Sequence, residues 1–198
     1  RFCVAACVHK KFDSAVNIPA VQATIVKKAR ELGGISEFSK PKSNGKKVAI
    51  IGSGPAGLGA ASVLSAIGYK VDIYEKENFA GGMSNLIPGY RLDKNMLKED
   101  LKFLTTLGDI NIKLNSEIEN PEILLKKGYD AVLVATGLTE PIKMGIENEN
   151  LALVGLEYLK NPKKYKLKGK VAVIGGGATA ADAAMTAKFN GASNVEML

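Results

Sequence analysis

The sequence predicts an α/β protein with two doubly wound, parallel-sheet folds, the second incomplete, behind a helical N-terminal tail. Three observations carry that expectation. The apolar run Val48-Ala49-Ile50-Ile51 enters the glycine turn Gly52-Ser53-Gly54-Pro55-Ala56-Gly57, and a small-residue helix follows. The run Lys170-Val171-Ala172-Val173-Ile174 enters Gly175-Gly176-Gly177-Ala178-Thr179-Ala180, again with an alanine-rich helix behind it. Between the two, strand-like and helix-like segments alternate, the pattern of a parallel sheet with helical crossovers.

Each element follows from local pattern. A helix is expected from Ile18 to Leu32, with Pro19 in its first turn and Val21, Ile25, Ala29 and Leu32 at helical spacing. Gly33-Gly34 ends it, and residues 36–45 read as a linker. The first fold then supplies a helix Pro55–Gly68 and a strand Lys70–Glu75. Gly81-Gly82-Met83 and Ile87-Pro88-Gly89-Tyr90-Arg91 form a loop before a helix Lys94–Leu107. A strand near Ile110–Leu114, a short helix Pro121–Lys127 and an apolar strand ending in Ala135-Thr136-Gly137 complete it. The lysine-rich stretch 163–168 links the folds.

The glycines point to a nucleotide. Gly52 permits a tight turn, Gly54 lets a pyrophosphate approach the backbone, and Gly57 lets helix and strand pack closely. The helix start then offers free N–H groups and a positive dipole end to phosphates. Glu75 stands about 20 residues on, where a carboxylate can accept ribose hydroxyls. In the second turn Ala180 takes the place of the third glycine, which the fingerprint allows. Two nucleotide sites on one chain imply two redox carriers exchanging electrons. Small residues in Ala135-Thr136-Gly137 would admit a cofactor close to the backbone.

Composition narrows the alternatives. The 198 residues fit one large or two small domains, and 46% hydrophobic residues suffice for a core. No apolar run reaches the ~18 residues of a membrane span. No signal peptide is visible. Net charge is +7, but the lysines are dispersed, aromatics are few and Trp is absent, so nucleic-acid binding is not expected. Cys3 and Cys7 are the only cysteines, too few for a disulfide framework and, alone, for an iron–sulfur cluster. The single histidine, His9, reads as a surface or packing residue. The chain opens at Arg1 inside a cysteine motif and stops in the second strand of the second fold, so a piece of a longer protein is expected.

With these motifs placed, the chain resembles the flavin-containing small (beta) subunit of glutamate synthase and its relatives. Those include the N-terminal half of dihydropyrimidine dehydrogenase, the large subunit of NADH-dependent ferredoxin:NADP oxidoreductases, and selenate reductase subunits. The resemblance runs in order through Cys3-x-x-x-Cys7, Val16-Asn17-Ile18, Gly52–Gly57, Glu75-Lys76, Gly81-Gly82-Met83, Ile87-Pro88, Arg91-Leu92, Ala135-Thr136-Gly137 and Gly175–Asp182.

The resemblance implies an FAD-dependent NAD(P)H oxidoreductase of the cytoplasm. It passes electrons through iron–sulfur clusters to a partner subunit or fused domain, without nucleic acid or membrane. Gly52, Ser53, Gly54, Pro55, Ala56 and Gly57 would cradle the FAD pyrophosphate, and Glu75, with Lys76 beside it, the adenosine ribose. Gly81, Gly82 and Met83 would run along the flavin end. Arg91, Ile118, Ala135, Thr136 and Gly137 would also meet FAD. Gly175, Gly176, Gly177, Ala178 and Thr179 would meet NAD(P)H, while Asp182 caps or packs. Cys3, Cys7 and Gln22 match ligands of [4Fe–4S] clusters.

The implied organisation is an iron–sulfur tail over 1–35, a linker over 36–45 and an FAD fold over 46–145 without its closing segment. A linker over 146–169 and the start of an NAD(P)H fold over 170–198 follow. No catalytic acid or base is expected, because the cofactors carry the chemistry. A disulfide reductase would need a cysteine pair beside flavin or nicotinamide, and no cysteine follows Cys7. A non-enzymatic, FAD-bound electron-transfer or scaffold subunit and a protein binding nucleotide in one fold only are the other readings. Dihydropyrimidine dehydrogenase-like and selenate reductase-like members share the motifs.

Overall fold

Helix and strand alternate after a helical N-terminal stretch. The computed structural model describes residues 2–33, 41–138, 140–141 and 143–198. Helices α1 (Phe2–Ala5) and α2 (Ile18–Glu31) precede β1 (Lys47–Ile51), α3 (Pro55–Ala66), β2 (Lys70–Tyr74), α4 (Lys94–Thr106) and β3 (Ile110–Lys113). Then come α5 (Glu122–Lys126), β4 (Ala131–Val134), α6 (Gly155–Lys160), β5 (Gly169–Val173), α7 (Ala178–Phe189) and β6 (Ala192–Met197). Gly34 and residues 36–40 of the expected linker lie outside the described residues.

The first sheet is parallel throughout, in the order β3-β2-β1-β4. Its two central strands read Lys-Val-Ala-Ile-Ile and Lys-Val-Asp-Ile-Tyr, with only the leading lysine exposed in each. Such continuous burial is what a parallel sheet covered on both faces requires. On one face Val48, Ile50, Val71, Ile73 and Ile110 pack with Leu58 and Ala61 of α3, and Leu101 and Leu104 of α4 close the layer. On the other, Ala49, Ile51 and Tyr74 pack with Leu124 of α5, bordered by Ile118, Tyr129 and Val132. The chain runs outward from β1 to β3 and returns beside β1 as β4. In open α/β sheets the crevice for a ligand lies at the carboxyl ends of the strands flanking such a reversal. Here those ends are Gly52 and Ala135.

That second face also holds a polar cluster. Asp72 accepts from the Tyr129 hydroxyl, from Asn111 Nδ2 at 3.1 Å and from Lys113 Nζ at 3.2 Å. Lys113 also donates to the Tyr74 hydroxyl at 3.1 Å. Burial pushes the Asp72 carboxyl up, but these donors outweigh it and hold it below its ordinary value. Burial likewise pulls Lys113 down, and Tyr74 and Asp72 override it and hold the ammonium above its ordinary value.

The second sheet pairs β5 and β6 in parallel, with α7 as the crossover. Tyr158, Ala183, Ala187 and Ala192 form its core, bordered by Tyr165, Leu167, Val171 and Val195. The stretch 146–169 read from sequence as a linker therefore contributes to this core through α6, Tyr165 and Leu167. Two further readings change. The Ala135-Thr136-Gly137 triplet lies past the end of β4, not within it. In α2 only Ala29 of the apolar stripe is buried, while Val21, Ile25 and Leu32 are exposed. Asn17 caps that helix, and Arg30 ties it to Asp100 of α4 at 3.0 Å. Among the described residues no helix is long and apolar enough to cross a membrane.

Candidate functional site

The first glycine turn is held by its neighbours on three sides. Gly52 has φ +102°, a left-handed conformation that glycine adopts at little cost and other residues adopt only with strain. A Cβ there would also meet the carbonyl of Ala135. A Cβ on Gly57 would collide with the carbonyl of Gly52, so α3 starts in direct backbone contact with the turn. Gly54 differs from both. Its φ is −71° and a Cβ would meet nothing within 4 Å. Neither strain nor packing within the described chain demands a glycine there, so its smallness serves the open side. Pro55 opens α3 and has no N–H to lose. The first-turn amides that follow, at Ala56 and Gly57, lack intrahelical partners.

Ser53 and Glu75 form the buried floor. Glu75 Oε2 accepts from the Ser53 amide at 2.9 Å and from the Ser53 hydroxyl at 2.6 Å. Its Oε1 accepts from the Glu77 amide at 3.0 Å. Burial raises the Glu75 carboxyl, but amides of Glu77, Ser53 and Lys76 and the Ser53 hydroxyl together hold it below its ordinary value. The group stays ionised. Lys76 itself is exposed beside it.

The loop after β2 crosses the turn. Gly81 donates its amide to the Ser53 carbonyl at 3.0 Å, and a Cβ on Gly82 would come within 2.8 Å of Gly54 Cα. The segment thus passes directly over Gly54, and residues 82–86 wind into a 3-10 turn with Met83 exposed on it. Sequence reasoning missed the side chains that shape this loop. Asn85 Nδ2 donates to the carbonyls of Ala80 at 2.8 Å and Gly82 at 3.2 Å. Lys94 Nζ donates to the carbonyls of Asn85 at 2.7 Å and Ile87 at 2.5 Å, and burial lowers its pKa. Both residues donate to backbone carbonyls of the loop, Asn85 from within it and Lys94 from the start of α4, which leaves no periodic signal.

The remaining first-site residues divide. Ala135 donates its amide to Ile51 at 2.8 Å and closes the turn. Thr136 and Gly137 are exposed just beyond it, Gly137 at φ +72°. The Ser116 amide donates to the Glu75 carbonyl at 2.8 Å, which brings the chain leading to Ile118 alongside Glu75. The side chain of Ile118 packs against the core instead. Arg91 leaves the first fold and donates from Nη1 to Asp182 Oδ1 at 2.6 Å.

The second turn repeats the first in outline. Gly175 has φ +122°, and its amide donates to Leu198 at 2.8 Å. Gly177 caps α7, and a Cβ on Gly176 or Gly177 would meet nothing within 4 Å. Ala178 and Thr179 begin the helix behind them. Asp182, expected to cap or pack, is buried and ion-paired.

The N-terminal residues stand apart. Cys3 is exposed and Cys7 half-buried, and neither is in a disulfide. Gln22 is exposed on α2. Among the described residues no group of three or more His, Cys, Asp or Glu side chains is placed to hold a metal.

The chain is similar to known proteins. The sequence profile of the family described as "Pyridine nucleotide-disulphide oxidoreductase" matches residues 46–198. The NADP(+)-dependent formate dehydrogenase subunit beta of Moorella thermoacetica is 39% identical over 181 residues, covering 86% of this chain and 25% of that protein. The glutamate synthase (NADPH) small chain of Bacillus subtilis is 36% identical over 211 residues, covering 98% of this chain and 43% of that protein. Among solved structures, a 2-naphthoyl-CoA reductase complex matches with TM-score 0.59 at 26% identity, covering 81% of this chain and 24% of that one. The chain thus spans less than half the length of these relatives. The resemblance to glutamate synthase small chains read from the motifs is borne out.

Proposed function

Because the chain belongs to the pyridine nucleotide-disulphide oxidoreductase family, we propose that it is the nucleotide-binding part of an FAD-dependent NAD(P)H oxidoreductase of the glutamate synthase small-chain kind. One observation carries the reading. Gly54 needs no glycine for its own packing or backbone, yet sits at the helix start, beneath Gly82 and beside ionised Glu75. A pyrophosphate against Gly54 and a ribose hydroxyl at the Glu75 carboxylate fit that arrangement. The open faces of Gly176 and Gly177 fit a second pyrophosphate in the same way.

Bound flavin and nicotinamide would supply hydride chemistry, which then belongs to the cofactors. The chain binds and orients them. Amides of Ala56 and Gly57, at the start of α3 behind Gly52-Ser53-Gly54-Pro55, hold one phosphate pair. Glu75, with Lys76 beside it, holds the ribose. Gly81, Gly82 and Met83 on one side and Ala135, Thr136 and Gly137 on the other border the cofactor, with Arg91 at the rim. Gly175, Gly176, Gly177, Ala178 and Thr179 take the second nucleotide. The cysteine pair that disulfide exchange would require is absent from the matched region, since Cys3 and Cys7 precede it.

Cys3 and Cys7 supply two thiolates where an iron–sulfur cluster takes four ligands. The described residues therefore do not fit a complete cluster. In our reading residues 1–35 contribute Cys3, Cys7 and Gln22 to clusters whose other ligands lie elsewhere, and a partner subunit or fused domain is the electron acceptor. Residues 46–145 bind FAD and 170–198 begin the NAD(P)H fold.

Denaturing the full-length protein should release flavin, and the native protein should oxidise NADH or NADPH. Absence of released flavin sinks the reading. Flavin without NAD(P)H oxidation leaves an FAD-bound scaffold in its place. Cys3→Ala and Cys7→Ala in the full-length, anaerobically purified protein should lower iron while leaving flavin, and unchanged iron would remove the cysteines from the cluster.

A further inference from the structure

The two folds meet along a thin seam. Arg91 and Asp182 pair at 2.6 Å across 91 positions of sequence. Tyr90 sets its ring edge against Phe189, with centroids 5.2 Å apart. Lys160 and Glu77 stand 3.9 Å apart, both exposed. Between these tethers a cleft of about 460 Å³ opens, bordered by Asn85, Pro88, Tyr90, Leu159 and Phe189. Thr186 also lines it, and its buried hydroxyl has no hydrogen-bond partner. Apolar packing therefore does not seal the seam. Interfaces of this kind within a chain leave domains free to move unless they are large and hydrophobic.

The ion pair is unlike its neighbours. The Asp182 side chain is 9% exposed and that of Arg91 46%. A carboxylate buried to that degree is costly without a cation, so the pair resists separation. Exposed Lys160 and Glu77 have no such constraint. The pair also sits between both glycine turns. Segment 82–91 starts on Gly54, where Gly82 crosses it, and Lys94 holds its carbonyls. Asp182 lies in α7, five residues after Gly177, the cap of the second turn. Arg91 thus joins the loop lying on one nucleotide turn to the helix that carries the other.

We propose that Asp182 is a positioning residue: by holding Arg91 it sets the spacing of the two nucleotide turns, and so the approach of nicotinamide to flavin. The inference rests on the function proposed above. Hydride transfer requires contact distance, and a displacement of about 1 Å by a remote change can cost roughly 100-fold in rate. Arg91 retains further N–H donors after serving Asp182 with Nη1, so the same side chain can face cofactor as well.

The test uses full-length, FAD-loaded protein carrying Asp182→Asn, Asp182→Glu, Arg91→Met, or Asp182→Asn with Arg91→Met. Asp182→Asn should keep its flavin content yet slow single-turnover flavin reduction at saturating NAD(P)H about 10- to 100-fold. Asp182→Glu should recover part of that rate. The double variant should be no slower than the worse single, because both remove one interaction. Hydrogen exchange should accelerate in residues 82–91 and in α7 together, in loaded and flavin-stripped protein alike. Unchanged exchange in 82–91, or rate losses that add, overturns the proposal. If wild-type protein carries no flavin, the function reading fails, while exchange still decides whether the pair ties the folds. If Asp182→Asn does not fold, accelerated exchange of α7 in Arg91→Met supports the tie and unchanged exchange there rejects it.

Discussion

Ser53 gives Glu75 two hydrogen bonds, from its amide at 2.9 Å and from its hydroxyl at 2.6 Å, and both end on the same carboxylate oxygen. The serine is fully buried, and its hydroxyl also lies 3.3 Å from the Gly81 amide. One side chain thus joins the ends of β1 and β2 to the loop that crosses Gly54. Ser53→Ala removes that hydroxyl and leaves the carboxylate under-satisfied. A loss of about 1–3 kcal/mol in stability is expected, together with weaker FAD retention. Thermal unfolding of full-length protein with and without added FAD checks both. An unchanged melting temperature would show the hydroxyl to be dispensable.

Gly54 and Gly57 separate binding from folding. Gly57→Ala places a methyl against the Gly52 carbonyl, so α3 must shift from the turn and stability should fall. Gly54→Ala adds a methyl into open space at an ordinary φ of −71°, so the melting temperature of flavin-free protein should not change. Its FAD affinity should drop at least ~10-fold, since the methyl would occupy the approach proposed for the pyrophosphate. Flavin titration followed by fluorescence measures this. If Gly54→Ala binds FAD as wild type does, the pyrophosphate lies elsewhere.

Glu75→Lys should weaken flavin retention, because a cation replaces the acceptor proposed for the ribose and faces Ser53's donors. Released flavin per chain after denaturation is the readout. Full retention would detach Glu75 from the cofactor.

Acid should unfold the first sheet through Asp72 and Glu75. Both carboxyls are held below their ordinary values despite burial. A group with a depressed folded pKa contributes stability above its unfolded pKa, about 4, and loses it as pH falls through the folded value. Stability should therefore be level above about pH 5 and decline below about pH 4. Asp72→Asn should lower the plateau and flatten that decline, as read by denaturant melts between pH 2 and 7. An acid slope identical to wild type would place the titrating groups elsewhere.

Lys94→Met should loosen the loop over Gly54. The carbonyls of Asn85 and Ile87 lose their donor. A cost of about 1–3 kcal/mol is expected, with faster protease cleavage within residues 82–91. Cleavage at the wild-type rate there would mean that Asn85 suffices.

The sequence by itself determined what is local. Gly52 and Gly175 mark left-handed turns that other residues adopt only with strain, so both turns were legible without a structure. The apolar runs that became β1 and β2 are buried on both faces, and Glu75 directly follows β2, where a nucleotide fold calls for an acid. Helix boundaries followed from Pro19, Pro55 and Pro121 and the glycines behind them. Tertiary structure decided the rest, because it depends on which distant residues meet. Nothing in a helical period says that Asp182 will be buried against Arg91, or that Lys94 will reach back to the carbonyls of Asn85 and Ile87. Nor does it say that α2 will bury Ala29 alone while Val21 and Ile25 stay exposed. The inward pairing of Asp72 with Tyr129, Asn111 and Lys113 reads in sequence as a polar interruption of a strand. It is tolerated because β3, with Asn111 and Lys113, and the segment carrying Tyr129 bring three donors to it, and a buried charge left without them is strongly destabilising.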